Sequence, residues 1–131
     1  VLGRLEADHG DPAAAVRRLR VEWQRRPAAE VADALGWALY RAGEPAQALL
    51  FALRATAPEP GGGLRDAVYM YHRGMIEREL QRHGAARRHL TEALRINPHF
   101  SPLHVPAARA AIEELGQPPD AGVPEMDDGV G

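Results

Sequence analysis

Apolar residues return at three- and four-residue steps along most of this chain, and that period belongs to helices with one buried stripe. Short polar or glycine–proline stretches interrupt it. The pattern predicts seven helices, at about 1–8, 13–25, 28–42, 45–56, 64–81, 85–96 and 103–115, and no strands. His9-Gly10-Asp11-Pro12 and Ala42-Gly43-Glu44-Pro45 read as turns, each ending in a proline placed where a new helix can begin. His83-Gly84 reads as a third turn. Pro58-Glu59-Pro60-Gly61-Gly62-Gly63 reads as a longer linker.

A second regularity lies on top of the first. Glycine, alanine and proline recur as Gly3, Ala15, Pro27, then Gly36, Ala48, Pro60, then Gly74, Ala86, Pro98. The steps are 12 and 12 within each triplet, and 33 and 38 between triplets. Each glycine falls inside a helical stretch, where it costs about 1 kcal/mol relative to alanine. Repeating that cost predicts a packing reason: a neighbouring helix crosses close by, with the alanine at the matching crossing point. Each proline follows a second helix and prevents its continuation. The unit is helix, turn, helix, turn.

On these residues the chain resembles the tetratricopeptide repeat family, whose pattern runs W-x2-L-G-x2-Y, then A-x3-F, then P, over about 34 residues. One unit reads Ala32-x2-Leu35-Gly36-x2-Leu39, then Ala48-x3-Ala52, then Pro60. The next reads Met70-x2-Arg73-Gly74-x2-Glu77, then Ala86-x3-Leu90, then Pro98. A first, truncated unit reads Leu2-Gly3-x2-Glu6, then Ala15-x3-Leu19, then Pro27. The resemblance covers residues 1–98, and Thr91-Glu92-Ala93-Leu94-Arg95-Ile96-Asn97-Pro98 is its most family-like stretch. None of the units has the tryptophan. Arg73 and Glu77 stand where the family has leucine and tyrosine; four residues apart on one face, they can pair, and that face is expected to be partly exposed beside the linker.

The resemblance implies an all-α, right-handed helix-pair solenoid over 1–116, with units at about 1–27, 28–60 and 66–98 and a C-terminal capping helix at 101–115. The capping helix has Leu103, Ala107, Ala110, Ala111, Ile112 and Leu115 as its apolar set and Arg109, Glu113 and Glu114 as its polar side, with regular helix starting near Val105 because of Pro106. Residues 117–131, rich in glycine, proline and acid, read as a disordered tail. The chain begins at Val1 without a methionine and reads as a segment of a longer protein.

The resemblance also implies where a partner would sit. Concave positions of the family fall on Asp33, Trp37, Tyr40 and Arg41 in one unit and on Tyr71, Met75 and Arg78 in the next. Helical spacing independently puts each set on one stripe. Aromatics beside arginines suit a peptide or helix with apolar anchors. Some family members clamp a terminal carboxylate with lysine and asparagine. Here there is no lysine, and the single asparagine, Asn97, ends a second helix, so that clamp is not expected.

Composition narrows the chemistry. There are no cysteines, so disulfides and thiolate sites are excluded. No apolar run reaches the roughly 20 residues of a membrane span. All 16 basic residues are arginine, which reads as the bias of a GC-rich, bacterial source. The formal charge of -2 argues against duplex DNA as a partner. Arginines at 17, 18, 20, 25 and 26 and at 82, 87, 88 and 95 are interleaved with acids and read as solvated faces; an RNA-binding convex strip is the lesser alternative. His9, His72, His83, His89, His99 and His104 show no metal-ligand spacing and read as scattered surface residues. Ser101 is the only serine, so a serine–histidine–acid site is not expected. Trp23 reads as a packed residue on a second helix. The expected function is a non-enzymatic scaffold for a protein or peptide partner, without cofactor or metal, in the cytoplasm. The alternatives are self-association through the open N-terminal edge, or a regulatory segment of a larger enzyme.

Overall fold

The computed structural model describes residues 10–57 and 64–116. The helix expected at 1–8, the crossing at Gly3, the linker at 58–63 with Pro60, and the tail at 117–131 lie outside these residues. The described residues form six helices and no strand: α1 (Pro12–Arg25), α2 (Ala29–Arg41), α3 (Pro45–Ala55), α4 (Leu64–Glu79), α5 (His83–Ile96) and α6 (Val105–Gly116). The protein is all-α over this span. The chain divides into two compact units, Val1–Pro58 and Glu59–Gly131.

In the first unit, Asp11 starts α1 as an N-cap, its carboxylate accepting a hydrogen bond from the Ala13 amide at 3.0 Å, with Pro12 in the first turn. Ala15, Val16 and Leu19 are the buried face of α1. α2 packs against both α1 and α3. It is buried at every residue from 31 to 39, the charged Asp33 included. α2 and α3 cross at Gly36, as the repeated glycine predicts. A Cβ there would lie 3.2 Å from the Ala48 carbonyl oxygen and 3.3 Å from the Ala52 amide nitrogen.

The second unit repeats this hairpin 38 residues later. α4 and α5 cross at Gly74, where a Cβ would lie 2.6 Å from Leu90 Cγ and 3.2 Å from the Leu90 amide nitrogen. Gly36→Leu and Gly74→Ala are each expected to destabilise by about 1–3 kcal/mol, because backbone or a fully buried leucine must move. Urea denaturation midpoints check this, and unchanged midpoints would remove the close-crossing argument.

The two hairpin turns share one geometry. At the end of α2, the Glu44 amide donates to the Leu39 carbonyl at 2.9 Å and the Gly43 amide to the Tyr40 carbonyl at 3.1 Å. At the end of α4, the Arg82 amide donates to the Glu77 carbonyl at 2.9 Å and the Gln81 amide to the Arg78 carbonyl at 3.1 Å. Both are Schellman endings, which need one residue in the left-handed region. Gly43 supplies it with φ 86°, and Gln81 with φ 67°. This moves the third turn from the expected His83-Gly84 back to residues 80–82. His83 and Gly84 instead lie within α5, and Gly84 is buried. Left-handed backbone is costly for a residue with a Cβ. Gln81→Gly is therefore expected to stabilise by about 0.5–1 kcal/mol after the added unfolded-state entropy is subtracted. A thermal melt that falls would contradict this.

After α5, the Asn97 side chain accepts from the His99 amide at 2.8 Å and Ser101 Oγ from the His104 amide at 3.1 Å, leading the chain into α6. α6 packs on α5, and the Arg87 guanidinium donates to the Leu115 carbonyl at 3.0 Å. α6 begins at Val105 as expected, but its buried stripe is Ala108, Ala111 and Leu115. Leu103, Ala107 and Ala110, expected in the apolar set, are exposed. In an alanine-rich helix two neighbouring stripes are almost equally apolar, and packing against α5 selects between them. Arg109, Glu113 and Glu114 are exposed.

Candidate functional site

The predicted partner-contact residues separate by accessibility. In the first unit, Asp33 and Trp37 are buried, at 2% and 4% exposure. Tyr40 is half-buried and stacks on Trp37, with ring centroids 4.8 Å apart. Arg41, the last residue of α2, is exposed. The helical step of three places Tyr40 over Trp37, and the indole supports the phenol from below.

In the second unit, Tyr71 and Met75 are buried. Tyr71 packs in an aromatic group, 4.9 Å from the His104 ring, 5.5 Å from Phe100 and 5.7 Å from His72. Arg78 is partly exposed and donates to Glu114 of α6 at 2.7 Å. Trp37, Tyr71 and Met75 therefore contribute packing in the folded chain, and the reachable members of the predicted set are Tyr40, Arg41 and Arg78. Trp23 has the packed role expected of it. It meets Phe51 edge-to-face at 5.5 Å, and the Arg54 guanidinium lies 5.4 Å from its ring centre.

The second unit also holds a buried polar group on the face that the sequence predicts to be partly exposed. Glu77 is 2% exposed. Its Oε2 accepts from Arg73 Nε at 3.0 Å, and its Oε1 pairs with His89 Nδ1 at 2.7 Å. The Arg73–Glu77 pair forms as expected, but the carboxylate is in the interior and His89 of α5 joins it. The 38-residue equivalence shows what this group replaces. Arg73, Glu77 and His89 stand where the first hairpin has Leu35, Leu39 and Phe51. Two further histidines depart from the surface reading. His72 is buried, and His104 is half-buried against Tyr71. A signal for His89 was present in the sequence, since it aligns with Phe51, an inward-facing aromatic.

The arginine clusters are partly engaged with neighbours. Arg20 donates to Gln47 at 2.7 Å, and Arg26 reaches Glu22 and Glu30, both at 3.4 Å. Arg95 bonds Glu92 one turn away. That hydrogen bond holds the Glu92 carboxyl below its ordinary range and Arg95 above its own. Among the described residues, no group of three or more histidines and acids is placed to hold a metal ion. None of their helices is long and apolar enough to cross a membrane. In comparisons with known proteins, no family model, no curated protein and no solved structure matches this chain.

Proposed function

We propose that this chain is a binding module that holds a protein or peptide partner, built from helix pairs of the tetratricopeptide kind. The observation that carries this reading is the recurrence, at one 38-residue offset, of a helix hairpin with the same glycine crossing and the same Schellman turn. Repeated helix pairs stack through nearest-neighbour contacts and present extended surfaces for partners, with chemistry supplied elsewhere. In the first unit, recognition falls to Tyr40 and Arg41, an aromatic ring held by Trp37 beside an exposed guanidinium. That pairing is the composition of interface hot spots.

The test is affinity capture with the full chain as bait. Tyr40→Ala combined with Arg41→Glu is expected to reduce a captured partner by about tenfold or more, with helicity retained and a denaturation midpoint lowered less than by Trp37→Ala. Equal capture by the variant and the parent chain would overturn the assignment of these residues.

A further inference from the structure

The outer side of the first unit carries an apolar ridge. Along α3, Ala46, Leu50 and Leu53 follow steps of four and three and are exposed, Leu50 to 61% and Leu53 to 40%. They lie on the helix side away from the buried Ala48 and Ala52. α1 lies beside this ridge, joined to α3 through Arg20–Gln47 and Trp23–Phe51. These contacts advance together along both helices, so α1 and α3 run in the same direction. The Trp23–Phe51 pair fills the space between the helices. Arg20 and Arg54 are exposed on that flank, and Arg54 is held over the Trp23 ring. The surface is a short leucine ridge with a basic shoulder.

We propose that this surface docks an amphipathic helix of another protein, with apolar residues in its centre and acidic residues along the flank facing α1. Apolar residues at steps of four and three are the spacing with which one helix meets another. The arginine shoulder sets the sign of the partner, since a basic helix would bring like charges together and an acidic one opposite charges. The proposal is independent of Tyr40 and Arg41, which belong to α2, so either can fail without the other.

The experiment uses the full chain and two fluorescent synthetic peptides. Both carry leucines at helical three- and four-residue steps; one is flanked by glutamates and the other, otherwise identical, by lysines. The glutamate peptide is expected to bind at least about tenfold more tightly than the lysine peptide, with the difference shrinking as salt rises. Leu50→Ser with Leu53→Ser is expected to weaken the glutamate peptide by about tenfold or more. Circular dichroism should stay the same and the denaturation midpoint should fall only slightly, because Leu50 is largely exposed and Leu53 partly so. Arg54→Gln should narrow the gap between the peptides. Equal binding of the two peptides, or full binding by the double serine chain, would refute the proposal. Light scattering supplies a further outcome: a dimer of the free chain that the serine substitutions dissociate would assign the ridge to a second copy and also overturn it.

Discussion

Glu77→Leu is expected to destabilise the chain by about 3–5 kcal/mol, although it places in the second hairpin the residue that the first already has at Leu39. The carboxylate is the shared acceptor for Arg73 and His89. Removing it takes one partner from an ionic group at the α4–α5 interface and leaves two polar side chains there without this acceptor. Breaking a buried pair costs more than the pair contributes, because desolvation of the remaining charge is no longer offset. The triple change Arg73→Leu, Glu77→Leu and His89→Phe should behave in the opposite way. It transfers the whole apolar set of the first hairpin and is expected to lie between the parent chain and about 4 kcal/mol above it. Urea denaturation of the parent, single and triple chains checks both. A triple variant as unstable as the single one would show that the second hairpin cannot accept the first hairpin's packing.

Trp37→Ala is expected to cost about 3–5 kcal/mol, the range for deleting a large buried aromatic. Trp37 is 4% exposed and also supports the Tyr40 ring. Loss of partner capture by this variant would therefore report on folding. Tyr40→Ala removes a half-buried ring that rests on a retained neighbour, and its effect on stability should be smaller. Measuring midpoints of both variants separates packing from recognition. A Trp37→Ala chain with the parent's midpoint would return Trp37 to the accessible surface.

Helix positions were legible because their causes are local. Apolar period, Asp11 before Pro12, and Gly43 before Pro45 act within a few residues, and the observed α1 to α3 agree with the expected spans to within two residues at each end. The crossings at Gly36 and Gly74 were legible for a different reason. A glycine inside a helix carries a cost, and repetition of the cost pointed to a close approach. The third turn is not legible in the sequence because the left-handed residue is Gln81, and glutamine carries no turn signal. The nearby Gly84 carries one but lies in the helix.

The candidate site was the least legible part. Trp37, Tyr71 and Met75 share helical stripes with Tyr40, Arg41 and Arg78, and spacing alone assigns them all one role. Which of them is covered depends on residues distant in the chain, as Tyr71 shows by packing against Phe100 and His104. The charged pair at Arg73 and Glu77 was read from its spacing, yet its burial and its third member, His89 on α5, come from the helix crossing. By itself, then, the sequence determined the all-α class, the order of helices and the glycine crossings, because those follow from local backbone preferences and from periodicity. Only the tertiary structure decided which face of α6 is buried, which aromatics are core and where a carboxylate enters the interior. Burial is a property of what packs against a residue, and that neighbour is chosen by the fold of the unit as a whole.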